Sequence, residues 1–287
     1  METVQETRPG LEVELQRHEP ASVQSGCYLL ELSSDWIVRR ASENIHHLLH
    51  ESHVTLVDEP LGRFVHAQAL HDLRNLFSRL SGTLGIARAY GVRLTDEHYL
   101  VDIAFQLSDG RVLLEAVPSC GSFGECFGSV GGLIDGLSGE SGQALLDKGA
   151  RRMRALTGYD RVNVTVGDMR AQSIRGAMQP SREIGGDLPM IVTDADSAGV
   201  PIFPRDAHDS AITDALLRSP GSTMLHQLRE AGVHSTLRVP FRSDGISGEF
   251  RLESRRAREP NFEVHAAAEL FAQLFAMRLE IDRLKRG

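Results

Sequence analysis

Four closely spaced histidines are the first residues of this chain whose type and spacing could do chemistry. The run "IHHLLHESH" places His46, His47, His50 and His53 on about two turns of a predicted helix. His46 and His50 share a helix face, as do His50 and His53, and a divalent metal could use this spacing. No carboxylate or cysteine stands in register with them, and we expect one side of the helix to be solvated. We therefore predict no metal site.

The cysteines offer little further chemistry. Cys27 falls in a predicted strand, where burial would make its thiol a poor nucleophile. Cys120 and Cys126 could form a disulfide or bind a metal, but "CGSFGEC" lacks the ligand spacing of a zinc knuckle. We interpret both as ordinary thiols in a flexible linker. Three cysteines in 287 residues indicate a reducing compartment, and we expect a cytoplasmic protein.

Sequence motifs of catalysis are missing. There is no glycine-rich phosphate loop after a strand, no nucleophile elbow and no paired acid motif, so we expect no enzyme. The segment "GAMQPSREIGGDLPMIVTDAD", Gly176 to Asp196, is unusual because helix breakers crowd its middle, around Asp187. No stretch between its two apolar ends is long enough for a helix.

Composition excludes several classes of protein. The net charge of −8 gives no basic footprint for nucleic acid, and we find no signal peptide or membrane-spanning run. With 41% hydrophobic and 24% charged residues, the chain is typical of a globular protein of about two domains.

The elements that would position these residues repeat one pattern twice. The first half predicts five strands with helices inserted after the second, including a hairpin that turns on Asp109-Gly110. Glycine and serine then dominate a linker. The second half predicts a helix, a strand, short helices, a hairpin that turns on Asp244-Gly245, and a long closing helix. The predicted fold class is α+β, with two tandem antiparallel-sheet sensor domains.

The closing helix carries an apolar seam. Its members recur at alternating steps of four and three, as in a coiled coil: Leu270, Leu274, Met277, Ile281 and Leu284. A neighbouring face adds Phe271, Phe275 and Leu279. One wide core face would explain both sets. We favour a homodimer helix, because the apolar positions cover too much of the circumference for one contact.

Several segments together resemble the PAS and GAF domains of bacterial phytochromes. They are, in family order, "VQSGCYLLELS", "LTGYDRVNVTVGD", "IVTDADSAGVPIFP", "LLRSPGSTMLHQLREAGVHSTLRVPF" and "PNFEVHAAAELFAQLFAMRLE". The resemblance implies a mobile arm over 1–14, a PAS domain over 15–118, a Gly/Ser linker over 119–139 and a GAF domain with its dimerisation helix over 140–287. We expect neither the PHY domain nor the histidine kinase that usually follows.

The resemblance also implies that the bilin pocket is degraded. Phytochromes carry a Pro-Ala-Ser-Asp-Ile-Pro motif and a helix rich in Tyr and Arg where this chain has "SREIGGDLPM". Asp187 and Pro189 remain, without the spacing or the helix. The attachment cysteine of the arm is absent, and Cys27 aligns with a family glycine. A core thiol is therefore our interpretation of Cys27.

Other pocket positions differ as well. Met224 stands where the family has a pocket histidine, and Leu225 where plant-type proteins attach the bilin. Leu252, Glu253 and Ser254 replace a Cys-His-His run. The two propionate-facing serines correspond to Thr236 and Arg238.

These differences lead to two hypotheses of function. The first is a phytochrome-like regulatory protein without cofactor, acting through protein contacts with itself and with a phytochrome or histidine-kinase partner. The alternative is a ligand receptor that binds biliverdin non-covalently, or heme, in a remodelled pocket. Candidate cofactor-binding residues for it are Cys27, Asp187, Met224, His226, His234, Thr236 and Arg238. Whether the arm (Glu12 to Ala21) threads the family's GAF lasso is left open by the sequence.

Overall fold

The computed structural model describes residues 21–78, 80, 85–97, 99–120, 124–180, 190–205 and 211–286. The strands are β1 (Ser22–Val23), β2 (Tyr28–Leu32), β3 (Val38–Ser42), β4 (Ala87–Val92), β5 (Val101–Ser108), β6 (Arg111–Pro118), β7 (Arg161–Val166), β8 (Met169–Ile174), β9 (Ile191–Val192), β10 (Val200–Phe203), β11 (Ser235–Ser243) and β12 (Ile246–Ser254). The α-helices are α1 (His46–Leu49), α2 (His53–Leu56), α3 (Ala67–Ser78), α4 (Glu125–Asp135), α5 (Gly142–Thr157), α6 (Ser222–Glu230) and α7 (Phe262–Arg286). The predicted arm over 1–14 and Asp187 lie outside the described residues.

The first sheet has seven strands in the order β1-β10-β3-β2-β6-β5-β4. Five of them, β2 to β6, are the strands that the sequence predicts in the first half. The β5–β6 hairpin turns on Asp109 and Gly110, both with positive φ (46° and 70°), as a tight two-residue connection requires. Helices α1, α2 and α3 cover one face of this sheet and close an apolar core around Trp36 and Phe105.

The second sheet has five strands in the order β8-β7-β12-β11-β9. Its inner face packs against α5 and α7, and α4 packs on these two helices. Aromatic rings fill the space between the sheet and α7. Phe250 of β12 lies 5.2 Å from Phe275 of α7, measured between ring centroids. Helix α5 approaches this cluster closely at Gly149, where a Cβ atom would stand only 2.4 Å from the Phe275 ring. Glycine is needed there for the contact of α5 with α7.

The expected Gly/Ser linker over 119–139 contains the helix α4. Its apolar side chains recur at helical spacing, and Val130 and Leu137 are buried in the core of the second sheet. The carboxylate of Glu263 accepts hydrogen bonds from the N–H groups of Gly124 (2.8 Å) and Cys126 (3.2 Å) at the start of the helix. This periodicity and capping outweigh the low helix propensity of the many glycines.

The short strand β1 is held by the second half of the chain on both sides. It pairs with β10 through Val23 and Val200, and Val23 forms a bridge to Arg218 on its other edge. The Gln24 side chain extends the contact, since its amide nitrogen donates to the carbonyl of Ile191 at 2.6 Å. The structure does not test whether the arm threads the lasso. Residues 12–20 of the arm and 206–210 of the lasso lie outside the described residues.

A buried carboxylate joins the first sheet to the second half of the chain. Glu115 of β6 is 1% exposed, and its two oxygens accept from the consecutive N–H groups of Leu216 (2.9 Å) and Leu217 (2.8 Å). Cys27 and Val117, from the first half, lie in the apolar core of the second sheet. The two halves therefore share both a sheet and a core.

Candidate functional site

The face of the second sheet that points away from α5 and α7 is polar. Strand alternation sends Val162, Val164 and Phe250 into the core and their neighbours to the other side. We call those neighbours the outer sheet face; they are Arg161, Asn163 and Thr165 of β7, Thr236 and Arg238 of β11, and Glu249, Arg251 and Glu253 of β12. Three of these positions, Thr236, Arg238 and Glu253, are pocket positions according to the resemblance.

A buried ion pair lies at the end of the outer sheet face that is remote from the β11–β12 hairpin turn. Arg161 and Glu253 are cross-strand partners, their side chains are each 1% exposed, and the guanidinium donates two hydrogen bonds to one carboxylate oxygen. Arg251 lies 3.1 Å from the other oxygen of Glu253. Arg161 also donates to the carbonyl of Gln179, beyond the end of β8. These contacts satisfy a charge that would be very costly to bury alone.

A second ion pair continues the pattern towards the hairpin end. Arg238 of β11 donates to Glu249 of β12 at 2.7 Å, and both side chains are about one third exposed. Beside it, a groove of about 810 Å³ runs along β8, β7 and β12. Polar side chains line most of this groove, including Asn163, Gln172 and Arg251.

The described residues of this face do not fit a bilin. A flat tetrapyrrole needs hydrogen-bond acceptors over its ring nitrogens and fixed cations for its two propionates. Here the cations Arg161 and Arg238 are already paired with Glu253 and Glu249. A buried carboxylate also stands where the resemblance places a histidine. Asp187, the remnant of the acceptor motif, lies outside the described residues.

Met224 and His234, two of the candidate residues for binding heme, have different surroundings. Met224 is 7% exposed and packs from α6 into an apolar cluster with Val192, Leu228 and Val233. The His234 imidazole instead contacts a carboxylate, with Nδ1 at 2.9 Å from Asp196 Oδ2. His226, another candidate cofactor-binding residue, lies on the exposed side of α6, where its Nε2 is 3.4 Å from Glu230 Oε1.

Cys27 is fully buried immediately before β2, as expected for a core thiol. Burial raises the pKa of its thiol well above the ordinary value, and the nearby Glu115 carboxylate raises it further. Its Sγ lies 3.6 Å from the carbonyl of Tyr28. A buried, protonated thiol is a poor nucleophile.

The histidine cluster is not on one helix, contrary to the prediction. Helix α1 ends at His50, which adopts a left-handed conformation with φ of 58°, and α2 starts at His53. The His46 and His47 rings contact each other at a tilt of 44°, His50 lies 3.3 Å from Glu97, and His53 stacks on Phe203. The left-handed residue turns the chain, so the helical spacing on which a shared metal would depend is lost.

Helix α7 has the two faces that the sequence predicts. Phe271 and Phe275 are fully buried in the core, and Leu279 is 4% exposed. The seam residues on the other side are exposed by 42% to 67%, except Leu274, which packs partly against the core; the exposed ones are Leu270, Met277, Ile281 and Leu284. We call these four residues the α7 stripe.

Sequence reasoning missed two carboxylates that the fold brings beside His234. Asp194, Asp196 and His234 each place one ligand atom within 4.8 Å of the others, and among the described residues this is the group of three such side chains close enough to share an ion. The signal available was the Asp-X-Asp spacing in "TDADS". It could not be linked to His234, about 40 residues later, without the pairing of β9 with β11.

Comparisons with known proteins agree with this architecture. No protein-family model matches the sequence, and no curated protein matches it. Solved structures do match. The chromophore-binding domain of the unusual bacteriophytochrome RpBphP3 from R. palustris superposes with a TM-score of 0.75 at 21% identity, over 93% of this chain and 97% of that chain. The corresponding domain of Stigmatella aurantiaca phytochrome P1 gives 0.70 at 20% identity, over 91% and 98%.

The fold class is therefore a tandem of two antiparallel α+β domains closed by a long helix. More particularly, it is the PAS-GAF fold of bacteriophytochrome chromophore-binding domains. Against a longer RpBphP3 structure, this chain covers 61% of that chain. None of the described helices is apolar and long enough to span a bilayer.

Proposed function

We propose that this chain is a regulatory PAS-GAF module that works without a bilin and without enzymatic activity, through contacts between proteins. The observation that carries the proposal is the α7 stripe. Its four apolar side chains are exposed along one side of a helix whose opposite side is buried in the chain's own core. A helix that is apolar on both sides has two surfaces to cover, and the described residues cover one of them.

The occupant we propose for the stripe is a second copy of α7. The spacing of Leu270, Met277, Ile281 and Leu284 follows the steps of seven and of three or four that bring coiled-coil residues to one seam. Each large apolar side chain buried at such a seam contributes about 1.5–3 kcal/mol. A phytochrome or histidine-kinase helix with the same seam could replace the second copy, which is how the module would reach a signalling partner.

The outer sheet face supports the part of the proposal that excludes a bilin. To hold a propionate, the guanidinium of Arg161 would have to separate from Glu253. Separation of a buried pair costs about 3–5 kcal/mol before any contact with the ligand is gained.

The test of the α7 stripe is the oligomeric state of matched variants. In sedimentation velocity we expect the wild-type chain to be a dimer and the Ile281→Glu variant to dimerise roughly 10-fold or more weakly. Leu107→Glu is the matched control, because Leu107 is a 58% exposed apolar residue on β5, away from α7. A monomeric wild type, or an equal effect of both variants, would contradict the proposal.

The partner and the bilin each need a separate test. Co-expression of a tagged copy with a bacteriophytochrome should yield a hetero-dimer that Ile281→Glu prevents; recovery of the tagged chain alone would exclude that partner. Co-expression with a supply of biliverdin should give a colourless protein. A stable long-wavelength band, or a Soret band, would instead favour a ligand receptor.

A further inference from the structure

The residues Asp194, Asp196 and His234 meet at an irregularity between β9 and β11. The register of these strands pairs Thr236 with Val192. If this register continued for two more residues of each strand, His234 would lie opposite Asp194. The N–H group of Ala195, however, donates to the carbonyl of His234 at 2.7 Å. Asp194 and Ala195 therefore both face His234, which is the arrangement of a β-bulge, and bulges commonly redirect side chains next to sites.

The three donor atoms are close enough for one ion. His234 Nδ1 lies 2.9 Å from Asp196 Oδ2, and the ligand atoms of all three residues lie within 4.8 Å of one another. Ligands of one Zn²⁺ ion sit about 2.0–2.2 Å from it, so neighbouring donor atoms are about 3–4 Å apart. A small contraction of the triad would reach that geometry.

The backbone holds these residues in place independently of any ion. Asp194 Oδ1 accepts from the N–H group of Asp196 at 2.9 Å, and the Ser197 N–H group donates to the Asp194 carbonyl at 3.3 Å. The His234 N–H group donates to the carbonyl of Ser254 at 2.9 Å. Little ordering of the chain would be needed when a ligand binds.

An unsatisfied polar group lies two residues along the chain from His234. Thr236 is 0% exposed, and its hydroxyl has no hydrogen-bond partner among the described residues. It follows His234 by two residues, so strand alternation places it on the same face of β11, and it is paired with Val192, two residues before Asp194. A buried hydroxyl without a partner costs about 1–3 kcal/mol, and a metal-bound water that reached it would supply the missing hydrogen bond.

We propose that Asp194, Asp196 and His234 bind a divalent transition-metal ion, with water completing its coordination. Two carboxylates and one imidazole form a donor set suited to Zn²⁺ or Mn²⁺. Arg229 donates to the carbonyl of Ala195 at 3.1 Å, and its positive charge beside the site favours moderate rather than very tight affinity. The site does not depend on α7 or on the dimer.

The position of the site gives the ion a structural role. Ser197, which follows the triad, contacts Ser25 through their hydroxyl oxygens at 2.5 Å, and Ser25 follows β1. A bound ion would therefore fix the loop between β9 and β10 to the connection between β1 and β2.

Titration of chelator-treated protein with Zn²⁺ tests the site, and Co²⁺ serves as a spectroscopic probe. We expect one ion per chain, a visible Co²⁺ band that reports the imidazole and carboxylate ligands, and a higher Tm with Zn²⁺. Asp196→Asn and His234→Ala should weaken Zn²⁺ binding roughly 10-fold or more. Asparagine retains an oxygen that can contact His234, so Asp196→Asn should still fold, which circular dichroism would verify.

His226→Ala is the matched control, because His226 and Glu230 form a second exposed histidine–carboxylate pair, on α6. It should leave Zn²⁺ binding unchanged. Absence of stoichiometric binding, retained binding in Asp196→Asn and His234→Ala, or an equal loss in His226→Ala would overturn the proposal.

Discussion

Arg161 of β7 and Glu253 of β12 face each other across adjacent strands, and both side chains are 1% exposed. A charge pair so fully removed from water contributes little net stability, but the loss of one member leaves the other charge buried alone. This asymmetry makes the pair a sensitive probe of the outer sheet face.

Glu253→Gln should destabilise the protein by about 3–5 kcal/mol, because it leaves the Arg161 guanidinium buried without a counter-charge. Glu249→Gln is the control, since the Arg238–Glu249 pair is one third exposed and should be worth less than about 1 kcal/mol. Urea unfolding measures both. Equal losses in the two variants would show that the Arg161–Glu253 pair is solvated in solution.

Glu115 should make the protein less stable as the pH rises. Burial raises the pKa of this carboxyl to about 7, while the N–H groups of Leu217 and Leu216 and the charge of Arg88 act in the opposite direction. The folded state therefore retains a proton that the unfolded state releases near pH 4.5. The stabilisation is complete below that value and is lost as the pH rises through about 7, by at most about 3 kcal/mol.

Unfolding free energies of wild type and Glu115→Gln between about pH 5 and pH 8 measure this effect. The glutamine variant should be less stable, because its single amide oxygen can accept from only one of the two N–H groups. Its stability should also depend less on pH than that of the wild type. The same slope in both proteins would assign the pH dependence to other groups.

Gly149→Ala should destabilise the protein by about 1–3 kcal/mol, although alanine favours helix formation. The added Cβ would stand 2.4 Å from the Phe275 ring, inside the contact of α5 with α7. Gly131→Ala in α4 is the matched control, because nothing lies within 4 Å of its Cβ position. That variant should be neutral or more stable by up to about 1 kcal/mol. A more stable Gly149→Ala protein would mean that the two helices lie further apart.

Cys27 should be inert to thiol reagents in the folded protein, and Cys120 should react readily. Cys27 is fully buried, whereas Cys120 is exposed. Burial raises the pKa of the Cys27 thiol well above its ordinary value, and burial together with the Asp102 charge also raises that of Cys120, so accessibility distinguishes the two. Thiol labelling with a chromogenic disulfide reagent is followed over time in the wild type, Cys27→Ala and Cys120→Ala. The fast phase of labelling should be lost in Cys120→Ala alone. Fast labelling of Cys27 would indicate local opening around β2.

Local signals in the sequence were sufficient for much of this fold. Asp109-Gly110 and Asp244-Gly245 each form the turn of a hairpin. A tight two-residue turn specifies the register of the strands on either side of it. The two faces of α7 were also predictable from spacing, since burial follows the side on which Phe271 and Phe275 recur.

The features that depend on distant pairing were not predictable. Strand β10 has four residues and joins the first sheet through β3, about 160 positions earlier in the chain. The grouping of Asp194 with His234 depends in the same way on β9 and β11. His50 adopts the left-handed conformation and separates α1 from α2. A glycine at this position would have indicated that conformation in the sequence, whereas a histidine does not.

The position of β1 between β10 and Arg218 implies that the two domains cannot melt in succession. Removal of the second domain would take β10, which lies between β1 and β3, from the first sheet and leave Glu115 without its two donors. Removal of the first would open the core that Cys27 and Val117 help to fill. Calorimetry should therefore show one transition, with the enthalpy of a single unit, and amide hydrogens of both sheets should exchange together through the same global opening.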